Sequence, residues 1–273
     1  MKRLTSNVNL RAGLGLLSLI LVLFILSYLL PESYAYDISA TGRLLSPSLQ
    51  HLFGTDNLGR DIFMRVAIAS RSALTIGFCS VVFGGSCGVL LGLIAGWFGG
   101  WLDLILVRLL DAMKAIPSLL LALMIVTMFG SSLEITIAVV SILAIPLYAR
   151  MARTGARQQK TQDYIQWTRL IGIGAWRTLF LHVLPNMLPP IIVTASLGFA
   201  NAVLTEASLS YLGLGVQPPE PSWGKMLAES QSYLLSAPWI ALANGAMLTL
   251  LVLGFNLLGD GLQQYYENER IDV

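Results

Sequence analysis

Charge is scarce in this chain: Asp, Glu, Lys and Arg together make up 12% of its 273 residues, against about a quarter in ordinary soluble domains. With 55% hydrophobic residues, a soluble fold could not bury all the apolar side chain, so water is excluded as the solvent for most of the sequence. Histidine and cysteine are nearly missing too, with two of each. Cys79 and Cys87 lie eight positions apart in one apolar run, where a disulfide within one helix is geometrically impossible and a metal finds no further ligands. They read as packing residues. No G-x-x-x-x-G-K-[ST] phosphate loop occurs, and the one Gly-Lys pair, Gly224-Lys225, is followed by Met226. A chain without that loop is not expected to hydrolyse ATP itself, so any ATPase would be another chain. Net charge is only +2, which excludes the basic balance of a nucleic-acid-binding protein.

What is present is a series of apolar runs near the roughly 20 residues that a helix needs to cross the hydrocarbon of a bilayer. They cover 12–30, 73–98, 104–129, 135–149, 187–204 and 239–258, and predict an all-α, polytopic membrane protein of six transmembrane helices. The first run follows Lys2, Arg3 and Arg11. It exceeds the roughly 7 to 15 residues of a signal-peptide core and lacks a clear cleavage site, so it reads as an uncleaved span. The expected organisation is a cytoplasmic N-terminus at 1–11, an external loop at 31–72, and a five-helix core at 73–262. That core contains a cytoplasmic loop at 150–185 and an external loop at 213–238, and a cytoplasmic tail follows at 263–273. In this orientation the larger part of the 17 Lys and Arg lies inside, as the positive-inside rule requires. Both termini are then cytoplasmic.

In the second run Gly84, Gly88, Gly92, Gly96 and Gly100 recur at every fourth position. A helical face without side chains admits another helix closely, so the helical part of this set, Gly84, Gly88, Gly92 and Gly96, is expected to pack, against a partner that spacing alone does not name. The same region contains Gly84-Gly85-Ser86-Cys87-Gly88, a formal match to the G-x-S-x-G pattern of serine hydrolases. That chemistry needs a strand-turn-helix setting and a histidine base, whereas this serine sits in an apolar helix and both histidines lie in loops. The match is coincidental.

The loop at 150–185 is the most informative. From Asp163 the sequence DYIQWTRLI reads as a short helix with an acidic N-cap, Gly172 and Gly174 break it, and a second helix from Ala175 ends at Leu184-Pro185. Tyr164, Ile165, Trp167, Ile171, Trp176, Leu179 and Phe180 give this unit an apolar component flanked by Arg169 and Arg177. Spacing alone fits two readings equally: a unit docked in a partner's groove, or an amphipathic hairpin lying on anionic lipid.

Four segments carry a family resemblance. HLFGTDNLGRDIFMR stands at 51–65, the glycine-broken hairpin with Gly172 and Leu184-Pro185 follows, EASLSYLGLGVQPPEPSWGKML stands at 206–227, and FNLLGDGL at 255–262. In this order they resemble permease subunits of the peptide/nickel group of binding-protein-dependent ABC importers, over nearly the whole chain. One departure is that the E-A-A triplet of that family's loop is replaced by Gln166-Trp167-Thr168, so the family's glutamate contact is not carried over.

The resemblance implies a heterodimer with a second permease, two ATP-binding subunits docked on the cytoplasmic loop through Asp163, Gln166, Trp167, Arg169, Gly172, Leu184 and Pro185, and an external substrate-binding protein. It also implies a place in the bacterial inner membrane, among its lipids. The ATPases use ATP and Mg, and this chain binds no cofactor or metal. The cargo is expected to be a peptide or a nickel or other metal chelate. Glu206, Asp56, Arg60 and Asp61 are candidates for pathway or external-loop positions, first as loop organisers and second as contacts to cargo or receptor. An ion-coupled secondary transporter would instead show paired charges at mid-membrane, and an intramembrane enzyme a nucleophile with its base. Neither pattern is in the sequence.

Overall fold

The computed structural model describes residues 7–271. Lys2 and Arg3 of the expected N-terminal segment and the last two positions of the expected tail lie outside the described residues, as do the side chains of Arg169 and of 268–271. Among the described residues thirteen α-helices account for nearly all regular structure, and the pairing that is not helical is a single bridge, Thr55 to Asp61. In chain order the helices are α1 (Val8–Leu29), α2 (Ser33–Tyr36), α3 (Ile62–Ser80), α4 (Ser86–Phe98), α5 (Gly100–Ala115), α6 (Ser118–Phe129), α7 (Leu133–Lys160), α8 (Asp163–Leu170), α9 (Ala175–Thr178), α10 (Leu184–Asn186), α11 (Leu188–Tyr211), α12 (Trp223–Ser230) and α13 (Pro238–Ile271). Single π-helical turns, Val81–Gly85 and Leu179–Val183, join α3 to α4 and α9 to α10.

The starts are written in side chains that satisfy otherwise orphaned backbone donors. Asn7 accepts from Asn9 N and Leu10 N, Asp61 from Met64 N, Ser132 from Ile135 N and Ser222 from Lys225 N. α7 also carries Glu134 in its first turn and Arg157 and Lys160 in its last, each the sign that the helix dipole favours.

Several helices overrun the expected loops. α3 begins at Ile62, inside the segment 31–72; α7 runs to Lys160, inside 150–185; α12 lies within 213–238; and α13 continues through the tail that begins at 263. Apolar runs mark only the part of a helix that needs hydrocarbon, whereas caps and packing carry it further. The third expected span, 104–129, is broken: α5 and α6 meet at 85°. Pro117 cannot continue the hydrogen-bond ladder, and Ile116 before it takes an extended backbone (φ −95°, ψ 129°), which is the restriction that proline imposes on its predecessor.

Among the described residues five helices are long and apolar enough to cross a membrane, or six crossings if the broken pair counts as one. Packing supports counting it. Gly84, Gly88, Gly92 and Gly96 face Ser141, Ile145, Ala149 and Arg153 of α7 in ascending order on both helices, so α4 and α7 are parallel neighbours. The chain must therefore return along their length between them, and α5–α6 is that return.

α13 packs on α1 and α11. Gly13 meets the backbone of Leu257 and Leu258, Gly254 meets Leu16 and Leu17, and Gly261 meets Leu10. Outward faces stay apolar and bare, with Leu21, Met124, Met128 and Leu242 each more than half exposed, as helices covered by lipid or another chain require.

Candidate functional site

The hairpin of α8 to α10 has two sides of different character. Ile165, Leu179 and Val183 are fully buried in one apolar cluster with Val89, Leu93, Trp97 and Tyr148 of α4 and α7. Thr178 donates to Thr168 across the hairpin at 3.4 Å, and Thr168 donates to the carbonyl of Ile165 at 2.7 Å. The other side is unpartnered: Trp167 is 65% exposed, Leu170 76% and Ile171 71%. Apolar groups so arranged are anchored by one edge and offered by the other.

Gly172 turns the chain at this tip with φ +77° and with nothing within 4 Å of a would-be Cβ. The left-handed conformation rather than crowding is what demands glycine there. Of the other sequence candidates, Asp163, Gln166 and Pro185 are exposed and Leu184 is half-buried. Gln166 Nε2 donates to the carbonyl of Thr161 at 3.3 Å, a contact within the hairpin's own base. Beside that base lies an open polar groove of about 650 Å³ lined by Gln158, Gln159, Thr161, Gln162, Tyr164 and Asn186. The Tyr164 hydroxyl donates to Gln159, and burial raises its pKa above the usual phenol value. Trp176 packs between Phe98 and Phe180, with centroids 5.0 and 6.1 Å away, which ties α9 to the end of α4.

A buried carboxylate that the sequence reading passed over holds the base of this unit. Asp103, 7% exposed in the first turn of α5, receives Arg153 Nη2 at 2.9 Å and Arg157 Nη2 at 2.6 Å, with Arg153 Nε on its second oxygen. Lys160 Nζ donates to Trp97 O at 2.7 Å, and Arg150 pairs with Asp111 at 2.9 Å. Arg150, Arg153, Arg157 and Lys160 therefore clamp α7 to α4 and α5. The available signal was their spacing of three and four on one helix face.

At the opposite end of the bundle, Asp56 is 6% exposed and accepts from Leu58 N at 2.8 Å, Arg60 N at 3.0 Å and Arg60 Nε at 2.7 Å, with Arg65 Nε 3.6 Å away. Asp61 caps α3 and also meets His51 Nδ1 at 2.8 Å. The segment 51–65 is thus a closed knot of turns. Glu206, 2% exposed, accepts from Ser210 Oγ at 2.6 Å, and that oxygen in turn accepts from Val216 N at 3.1 Å. Trp223 Nε1 donates to Val66 O at 3.0 Å, and Gly224 sits against the backbone of Ala207. Glu206 therefore holds the chain that follows α11 and stands well apart from the hairpin. Next to this knot, Tyr36 lies 3.3 Å from Glu220; burial, then that carboxylate, raises its pKa.

The segments that build these contacts recur in known proteins. Residues 88–271 match the family model described as binding-protein-dependent transport system inner membrane component. A dipeptide transport system permease protein DppC of Alkalihalophilus pseudofirmus is 41% identical over 96% of this chain and 86% of its own length. A glutathione transport system permease protein GsiD of Pectobacterium atrosepticum is 41% identical over 95% of this chain and 86% of its own. Among solved structures, a chain of the inward-facing MetNI methionine ABC transporter superposes with a TM-score of 0.54 at 19% identity, covering 73% of this chain and 91% of that one, a likeness of fold. With a family model spanning two thirds of the chain and relatives aligned almost end to end, the protein belongs to the binding-protein-dependent transport system inner membrane components, as the transmembrane permease subunit of an ABC importer.

Proposed function

We propose that this permease imports small peptides as one half of a heterodimer with a second permease, in the bacterial inner membrane with both termini in the cytoplasm. An external binding protein delivers the cargo. Two separate ATPase subunits, which bind the ATP and Mg, dock on the α8 hairpin, and this chain binds no cofactor. The names of the relatives, dipeptide and glutathione, support peptide cargo; nickel or a metal chelate draws no support from them.

The observation that carries the reading is the two-sided hairpin. ATP binding draws the ATPases together and moves the exposed tip at Trp167, Leu170 and Ile171. Because Ile165, Leu179 and Val183 share a cluster with Trp97 and Tyr148, the displacement passes to α4 and α7. Those helices are locked by the glycine face and by Lys160 on Trp97 O, so they move as one body, and access to the pathway alternates without covalent chemistry.

Gly172→Val tests the docking. A β-branched residue held in the left-handed region costs about 1 to 2 kcal/mol, so the tip is expected to tilt and the ATPases to be lost on co-purification while membrane insertion survives. Gly174→Ala is the control, since Gly174 has φ −60° and open space around it. Gln166→Glu, which restores the acid usual in the family, is expected to retain the ATPases. If Gly172→Val keeps both ATPases and uptake, the hairpin is not their dock.

A further inference from the structure

Exposed hydroxyls in hydrocarbon can satisfy their donors on their own helix, as Ser18, Thr127 and Thr249 do. A side-chain amide can do so with one N–H, as Asn244 does to Ile240 O at 2.8 Å, but its second N–H and its carbonyl oxygen still need a partner. α11 carries such an amide. Asn201 stands near the middle of this 24-residue span, its side chain exposed and without a partner among the described residues. Thr194, Thr205 and Ser208 lie on the same face, at helical spacing from it. Each of these hydroxyls donates to the carbonyl four residues back, at 2.8 Å, and keeps its lone pairs free to accept.

The other faces of α11 are occupied. Gly198 lies against Tyr148 of α7, Phe199 stacks on Phe255 of α13 with centroids 3.9 Å apart, and Ala202 and Val203 are buried. Near mid-span what remains is the strip with Asn201, bordered by the exposed Leu204. Facing lipid, the strip would leave at least one N–H and the carbonyl oxygen of the amide unmatched. On α13, Gly259 packs on Ser196 and Leu197, which brings the half-buried Asn256, three residues earlier in this antiparallel helix, to about the depth of Asn201.

We propose that the Thr194–Asn201–Thr205–Ser208 face of α11 lines the water-filled translocation pathway, and that Asn201 hydrogen-bonds the main-chain amides of a passing peptide. This rests on the permease reading above and names the surface that the cargo meets. The chemistry suits a peptide of varied side chains. An amide pairs with any peptide bond, whereas a fixed charge would hold one peptide terminus and repel the other, and a conducting site must also let go.

The test uses the whole transporter in membrane vesicles, with Cys79 and Cys87 replaced by Ser. Single cysteines are placed by Asn201→Cys and Thr205→Cys, and by Leu21→Cys on the exposed side of α1. A charged, membrane-impermeant methanethiosulfonate reacts with thiolate, which forms in water. Labelling at 201 and 205 is expected to run at least about tenfold faster than at 21. Asn201→Leu is expected to lose most tripeptide uptake, with trialanine as probe, while the ATPases still co-purify, and Asn201→Gln to keep most of it. Slow labelling at all three positions overturns the pathway face, and equal uptake by the Leu and Gln variants overturns the amide contact. Failure of the unsubstituted chain to co-purify with ATPases would instead overturn the permease reading.

Discussion

Gly92→Leu is expected to abolish assembly of the folded subunit. A Cβ at Gly92 would overlap the carbonyl oxygen of Ala149 and lie 2.9 Å from both Ala152 Cβ and Arg153 N. Most of those atoms are backbone, so no rotamer change makes room. Forcing extra volume into a packed core typically costs about 1 to 3 kcal/mol where side chains can shift; here the helices themselves must part. Gly88 and Gly96, one turn away on either side, approach the backbone of Ile145 and Arg153 in the same way, so parting at Gly92 disrupts their contacts too. Gly15→Leu on α1, where nothing lies within 4 Å, controls for adding a leucine to a membrane helix and is expected to assemble normally. The measurement is the yield of monodisperse complex on size-exclusion chromatography. A Gly92→Leu complex as abundant as the control would refute the close α4–α7 contact.

The second large effect is expected from Asp56→Ala. This carboxylate receives two backbone N–H groups and the Arg60 side chain, with Arg65 nearby, and the side chains of Asp56, Arg60 and Arg65 are only 8%, 15% and 5% exposed. Removing one partner leaves buried cations and turn donors unmatched, a loss of about 3 to 5 kcal/mol where such a pair is fully buried. The knot holds α3 through Asp61 and α13 through Trp239 Nε1, which donates to Thr55 O at 3.4 Å. Its loosening should therefore lower the melting midpoint of the whole subunit. Asp56→Asn keeps acceptors for Leu58 N and Arg60 N and is expected to melt between the two. A midpoint for Asp56→Ala equal to that of the unsubstituted protein would show that the turns hold without the carboxylate.

Much of this was legible beforehand for a physical reason. Hydrocarbon demands long apolar runs, and such runs are hard to mistake, so the number of crossings, the glycine face and the glycine-broken hairpin can all be read from residue types and spacing. Helix ends were less legible, because caps such as Ser132 and Ser222 act locally and extend a helix beyond its apolar part. The break at Pro117 was readable in principle. It was hidden because the run on both sides is equally apolar.

The sequence by itself determined that the chain lives in a membrane, that it has no phosphate loop, and which four segments mark its family, since each of these depends on composition or on residues close together. Only the tertiary structure decided that the glycines face α7, that Asp103 gathers Arg153 and Arg157, that Glu206 ties down the chain after α11, and that Asn201 is left without a partner among the described residues. Each of these is a meeting, or a failure to meet, between groups far apart in the chain, and spacing along a helix records a direction without recording what waits there.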